Sequence, residues 1–151
     1  MTIRLSTGMR NALLLGGSTG GVSGALGSGF LYLYDGTQPA SADTGASGTL
    51  LGKVTVDDDG TTGLTFDAPS AGVLAKAAAE NWKFHGLASG NVGWFRFSEA
   101  SDTPTSTSTT AKRIDGLVGT AGADANITNT AVVSAAVSTV DDWSFTMPAS
   151  L

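Results

Sequence analysis

Residues 30–36 read FLYLYDG and begin the part of the chain in which extended structure is expected. Aromatic and large aliphatic side chains fill Phe30–Tyr34, and these residue types favour strands. Asp35 and Gly36 follow directly, and such a dipeptide is typical of a tight turn. The stretch therefore predicts a strand that ends in a turn, and the same pattern recurs towards the C-terminus.

Further short runs are bounded by Gly, Pro, Asp, Asn or Ser, and we expect strands at 50–56, 64–67, 82–87, 92–97, 113–118, 126–133 and 140–147. About eight short strands at this spacing are typical of an all-β fold. We therefore predict a jelly-roll-like or related antiparallel β-sandwich with an N-terminal arm.

The sequence predicts the secondary structure of two further segments less clearly. The alanine-rich residues 75–79 favour helix by propensity, whereas the residues around them favour an extended chain. Residues 101–111, SDTPTSTSTTA, form a polar stretch for which we predict a loop that is free to move.

The chain before residue 29 has a different pattern, and we divide the protein into an N-terminal arm and Gly-rich linker, 1–28, and a β-sandwich domain, 29–151. Ser6 or Thr7 is a candidate cap for a short helix that Gly16 and Gly17 would end. This helix either lies on its own domain or reaches a partner chain, since the glycine-rich residues that follow suit a flexible linker.

Length and charge exclude several classes of protein. The 151 residues suffice for one domain, and the net charge is −5. The eight Lys and Arg are scattered, whereas nucleic-acid binding requires clustered cations. We therefore expect no direct nucleic-acid partner. Because the chain has no cysteine, disulfides and thiolate chemistry are excluded.

Residues 11–34 carry no charge, which invites a membrane interpretation. Glycine and serine interrupt the stretch, and its longest apolar run is only Ala12–Leu15. A spanning helix needs about 20 mainly apolar residues, so we expect no membrane association.

No motif in the sequence predicts an enzyme. Residues 16–20 match the G-x-S-x-G pattern of a serine hydrolase, with Ser18 as the nucleophile. The pattern needs a strand before it and a helix after it, and neither is predicted. His85 is the only histidine and is better explained as part of a solvated strand face. We predict no catalytic residue and no cofactor.

The run Asp57–Gly60 resembles the start of a calcium-binding loop. An EF-hand needs an acid at its twelfth position, and that position is Ala68. A turn is therefore the better interpretation, and we predict no metal site.

Three tryptophans, Trp82, Trp94 and Trp143, are expected in the core. Trp94 or Phe95 at a subunit interface is the alternative, since aromatic residues are enriched at contact surfaces. Strand alternation places these two neighbours on opposite faces, so at most one of them belongs to a given core.

The segment Ile3–Leu14, IRLSTGMRNALL, resembles the N-terminal arm of small virion structural proteins of tailed bacteriophages. In that family the arm precedes a strand similar to Phe30–Gly36. Other stretches similar to the same family are Gln38–Asp43, Gly48–Leu51, Gly93–Arg96, Ile114–Thr120, Gly122–Asp124 and Phe145–Pro148. The resemblance covers most of the chain.

This resemblance implies a capsid cement, or decoration, protein. Such proteins are commonly β-rich, often jelly rolls, and they oligomerise at capsid symmetry axes and bridge capsomers. The implied partners are the major capsid protein and further copies of the chain, as a dimer or a trimer. The implied location is the capsid surface of the virion, after synthesis in the host bacterial cytoplasm.

We expect the arm to contact a neighbouring subunit through Ile3, Arg4, Leu5, Met9, Arg10, Leu13 and Leu14. On this hypothesis, removal of residues 1–15 abolishes capsid occupancy and leaves the domain folded. Two alternatives are another virion component, such as a tail, connector or head-fibre protein, and a carbohydrate-binding β-sandwich with an exposed Trp as its stacking platform.

Overall fold

A computed structural model describes residues 3–17 and 20–150. Within them the chain forms two helices, α1 (Thr7–Leu15) and α2 (Gly21–Leu26), and eleven strands. The strands are β1 (Arg4–Leu5), β2 (Phe30–Tyr34), β3 (Leu50–Val56), β4 (Val73–Ala75), β5 (Trp82–His85), β6 (Gly90–Asn91), β7 (Trp94–Ser98), β8 (Arg113–Gly119), β9 (Ala125–Ile127), β10 (Ala131–Val132) and β11 (Val137–Thr146).

Seven of these strands close into a barrel. Antiparallel neighbours follow the order β8-β7-β2-β3-β5-β11, and β9 then joins β11 to β8. The pairing of β9 is antiparallel to β11 and parallel to β8. Strands β1 and β4 extend β8 and β11, and β6 pairs with β10 separately. The predicted all-β fold is confirmed, whereas a jelly-roll-like sandwich is not, because β9 connects both sides of the sheet.

The interior of the barrel is aromatic. Trp82, Phe97 and Trp143 are fully buried, and the rings of Trp82 and Trp143 have centroids 6.2 Å apart. Phe95 also points inward, over Gly116, its register partner on β8. A Cβ atom on that glycine would lie 2.6 Å from Cε1 of Phe95, so the ring occupies the space that a side chain would need. Alternation along β7 thus supplies the core with every second side chain.

The N-terminal residues belong to this core. Ser6 caps α1 by accepting a hydrogen bond from the Met9 amide, as the sequence predicts. Met9 and Ala12 then bury one face of α1, and Leu26 of α2 is fully buried. The arm and linker predicted for residues 1–28 are therefore, where described, packed into the domain rather than separate from it. Among the described residues, no helix is long and apolar enough to cross a membrane.

Some predicted strands are shorter in the structure. Leu64 and Phe66 form only isolated bridges, and the expected strand 126–133 is divided between β9 and β10. Residues 75–79 are neither a helix nor a full strand, because β4 ends at Ala75 and a turn follows. Pairing with β11, which β4 shares only over three residues, limits its length.

Candidate functional site

Two buried ion pairs lie on the outer face of β7 and β8. Arg96 donates two hydrogen bonds to Asp115, both 2.7 Å long, and neither side chain is exposed to solvent. Arg113 forms the same bidentate contact with Asp102, again with two distances of 2.7 Å. Because the guanidinium group matches the carboxylate geometry, each pair fixes orientation as well as charge.

These arginines also hold the loops that cover them. Arg113 donates to the carbonyl oxygens of Thr103, Ser106 and Ala42, and Arg96 donates to that of Pro104. The loop 101–111, for which we predicted free movement, is therefore held against the barrel. The sequence signal for this layer was the position of Arg96 between Phe95 and Phe97. In the structure, both faces of β7 are buried.

Trp94 lies in the same outer layer, beneath the loops. Its ring stacks on that of Tyr34 with centroids 4.7 Å apart, and its indole nitrogen donates to the carbonyl oxygen of Asp35. Burial raises the pKa of Tyr34 to about 12. Trp94 and Phe95 do lie on opposite faces of β7, but both are fully buried, so neither is the interface aromatic that the sequence suggested.

All three tryptophans are fully buried. A carbohydrate-stacking platform needs an exposed ring, and Trp82, Trp94 and Trp143 do not provide one. The carbohydrate-binding alternative therefore lacks the exposed tryptophan on which it depended.

The N-terminal segment is tied to the barrel at Ser6, which is fully buried. Its hydroxyl donates to the carbonyl oxygen of Ala111 over 2.7 Å and accepts from the amide of Arg113 over 2.9 Å. Gly8 approaches the same loop so closely that a Cβ atom there would lie 2.2 Å from the oxygen of Thr110. The start of α1 and the loop 101–111 thus support each other.

Asp43 forms a second attachment. Its carboxylate accepts from the amide and from the hydroxyl of Thr7, both over 2.7 Å. Burial alone would raise the pKa of Asp43, but the hydrogen bonds from Thr7 and the nearby charges of Arg10 and Arg113 lower it below its usual value. The two stretches Ile3–Leu14 and Gln38–Asp43, on which the bacteriophage resemblance depends, therefore meet in space.

We expect Asp43→Asn to weaken this attachment and to change its pH dependence. A carboxylate with a lowered pKa stabilises the folded state above its usual pKa of 3.8, and this contribution is lost as the pH falls through the lower, folded-state value. The free energy of unfolding of the variant should be about 1 kcal/mol lower than that of the wild type at neutral pH. On acidification, the free energy of unfolding should fall less for the variant than for the wild type. Urea unfolding from about pH 6 to about pH 2 measures both effects.

Asp142→Asn, on the exposed side of β11, is the control for the charge change. A variant at Asp43 whose free energy of unfolding follows the wild-type pH dependence would contradict the attachment.

The predicted arm residues divide into three groups. Met9 is fully buried, and Arg4 donates to the carbonyl oxygen of Pro39 over 3.0 Å, so both serve their own domain. Arg10 is exposed, although it donates to the Thr7 hydroxyl, and Leu14 is 86% exposed. The other three, Ile3, Leu5 and Leu13, are half-buried and pack against the core.

The exposed members of this set border an apolar groove of about 760 Å³, here called the α1 groove. One wall comes from the N-terminal segment and the other from the end of β11 and the residues after it. Its apolar lining consists of Ile3, Leu5, Leu13, Leu14, Ala123, Phe145, Met147 and Pro148. Arg10 and Asp124 are the charged residues of the lining. Contiguous exposed apolar surface of this kind is a candidate site for binding a protein, a ligand or a membrane.

A second apolar surface lies at residues 131–137, AVVSAAV, here called the tip loop. Val133 is 61% and Val137 62% exposed, and Leu87 next to them is 48% exposed. Ala135 has a φ of 67°, a left-handed conformation that is rare for a residue with a side chain. The sequence predicted a strand that ends at Val133 and gave no signal that the residues around that end would be exposed.

Strand β11 connects the two surfaces. Its first residue, Val137, belongs to the tip loop, and its last, Thr146, lines the α1 groove. At about 3.3 Å per residue the two ends lie about 30 Å apart. The protein therefore carries two exposed apolar surfaces at opposite ends of one barrel strand.

The acidic turn has its carboxylates in use. Asp57 accepts from the Asn81 side chain, Asp58 contacts the His85 ring over 2.9 Å, and Asp59 accepts from the Thr62 hydroxyl and amide. The hydrogen bonds of Thr62 lower the pKa of Asp59 to about 2. Residues 3–17 and 20–150 contain no group of three potential metal ligands.

The serine of the G-x-S-x-G pattern, Ser18, lies outside the described residues. His85, which a triad would require, has its ring against Asp58 in the same acidic turn.

No family model matches the chain, and searches of curated proteins and of solved structures found no match either. The fold and its surfaces define the class: a closed all-β barrel, with buried arginine pairs under its loops and two exposed apolar surfaces.

Proposed function

We propose that this chain is a bacteriophage capsid cement protein, which binds the outside of the major capsid lattice and clamps neighbouring capsomers without catalysing a reaction. The observation that carries the proposal is the pair of apolar surfaces at the two ends of β11. A clamp needs two contact surfaces at a constant separation. A ten-residue strand inside a closed barrel provides that separation.

The tip loop is the surface that we assign to the major capsid protein. It projects valine and alanine side chains and carries no charge, so its burial would release water from apolar surface. Its first two residues form β10, which pairs with β6, and an isolated bridge of Gly86 with Ser134 supports it further. Because the loop is braced in this way, less conformational entropy is lost when it binds.

The loops that Arg96 and Arg113 hold against the barrel suit a role on the capsid surface. A protein on a pressurised shell has to keep its shape under load, and the Arg113–Asp102 pair holds the loop 101–111 on the barrel without any disulfide. The resemblance to virion proteins is the second support, since the stretches that carry it form the attachment of α1.

The copy number in purified virions tests the proposal directly. Quantitative mass spectrometry against the major capsid protein should find hundreds of copies in a constant ratio. A few to a few tens of copies would assign the protein to the tail or connector, and absence from the virion would refute the proposal.

We expect Val133→Asp and Val137→Asp each to lower the affinity for capsids that lack the protein by at least about tenfold. Burying a valine contributes about 1.5 kcal/mol or more, and a buried unpaired charge adds a penalty. Titration of such capsids followed by sedimentation measures the bound fraction. Leu117→Asp, at an exposed leucine outside the tip loop, is the matched control. Equal binding of the tip-loop variants and wild type would remove this loop from the interface.

A further inference from the structure

We propose that the α1 groove binds a second copy of this chain, in a two-fold dimer in which Leu14 of each copy enters the groove of the other. The resemblance implies further copies of the chain as partners; the inference assigns the surface through which two copies meet, and its test needs no capsid. In this arrangement the second copy occupies the α1 groove, and the tip loop of each copy stays exposed at the other end of β11.

The first argument is the position of Leu14. It is 86% exposed near the end of α1 and lines the edge of the groove, so one surface carries both an apolar projection and an apolar depression. A two-fold interface joins identical patches and requires this kind of self-complementarity. A surface with a groove alone would need an unrelated partner to fill it.

The second argument is charge. Arg10 and Asp124 both line the groove and have opposite signs. Arg10 lies one helical turn before Leu14, so the two side chains share a face of α1. Because Asp124 lines the groove that Leu14 would enter, we infer that Arg10 of each copy pairs with Asp124 of the other. The two Arg10–Asp124 pairs of the dimer would set the register of the interface. They would also offset the repulsion between two chains that each carry a net charge of −5.

The third argument is the rigidity of the projection. Ser6 and Asp43 hold the start of α1, and Met9 and Ala12 anchor its buried face. Leu14 is therefore presented by a helix that is already in place. Association then orders few groups, which favours the dimer.

Sedimentation equilibrium of the purified full chain tests the dimer without any capsid. We expect a species of twice the 15.1 kDa chain mass, and Leu14→Ser should shift it to the monomer. Leu15→Ser is the matched control, since Leu15 is 82% exposed but lies on the side of α1 that faces Thr109 and Lys112. A monomeric wild type at about 100 µM, or equal effects of both substitutions, would overturn the proposal.

Charge reversal tests the register. Arg10→Glu and Asp124→Lys should each raise the dimer dissociation constant by at least about tenfold, and the double variant should recover to near the wild-type value. Far-UV circular dichroism confirms that each variant is folded. A double variant no better than the singles would show that these residues do not meet across the interface.

These results and the capsid titration are independent. Loss of the dimer with normal capsid binding leaves the cement proposal intact, and a stable dimer that binds no capsid leaves the groove assignment intact.

Discussion

Replacing Arg113 with Ala is expected to lower the free energy of unfolding by about 3–5 kcal/mol. The guanidinium group is fully buried and donates to Asp102 and to three carbonyl oxygens in two loops. Its removal leaves the Asp102 carboxylate buried without its partner, and that penalty exceeds the value of the pair itself. Guanidinium unfolding at neutral pH measures the change.

The neighbouring residue supplies the control. Lys112 pairs with Glu99 at the surface, with 36% of the lysine side chain exposed, so Lys112→Ala should cost at most about 1 kcal/mol. Arg113→Lys should recover only part of the loss, because an ammonium group cannot reproduce the bidentate contact. Limited proteolysis should cut the loop 101–111 in Arg113→Ala before wild type. Equal stability of the Arg113 and Lys112 variants would show that the outer layer does not hold the loops.

Met9→Ala is the second large effect, and we expect a loss of about 2–5 kcal/mol. Met9 is completely buried against the barrel, so shortening it removes apolar contacts and leaves a cavity. The substitution distinguishes a helix that is part of the core from an arm that becomes ordered only on a partner. Thermal and denaturant unfolding of the isolated protein are sufficient to measure it.

Leu14→Ala is the matched variant on the same helix. Its side chain is 86% exposed, and its loss should change the stability of the monomer by no more than about 0.5 kcal/mol. A small effect at Met9 would mean that α1 is not docked in solution. If both expectations hold, removal of residues 1–15 destabilises the domain, contrary to the expectation drawn from the sequence. Deletion is then a poor test of partner binding, and point substitutions on the exposed face replace it.

This division changes the meaning of the N-terminal motif. Ser6, Thr7 and Gly8 are used in contacts with the loops at Asp43 and Thr110. The stretch that resembles the arm of virion proteins is, in its first half, the means by which α1 is attached to its own barrel. Only its exposed side, with Arg10 and Leu14, remains for a partner.

Local patterns predicted much of the fold. The strand at Phe30–Tyr34, the helix after Ser6 and the separation of Trp94 from Phe95 all follow from propensity, capping and alternation, which act between residues close in the chain. The same patterns did not reveal β1 or α2, because two paired residues or six residues with two glycines carry too weak a signal.

The candidate surfaces were harder to predict, and Arg113 shows why. As one of eight scattered cations it gave no signal of burial, because its partners Asp102, Ala42 and Ser106 come together only when two loops fold over β8. The tip loop is similar, since nothing in AVVSAAV alone shows whether other chain segments cover it.

The chain alone thus established an acidic, cysteine-free, all-β domain with a capped N-terminal helix, because composition and short-range spacing decide those properties. Closure of the barrel by β9, burial of all three tryptophans and exposure of Leu14 and Val137 depended on the tertiary structure. The physical reason is that burial belongs to the surroundings of a side chain. In this protein many of those surroundings are assembled from residues far apart in the chain, such as Thr7 and Asp43, separated by 36 positions, and Ser6 and Arg113, separated by 107.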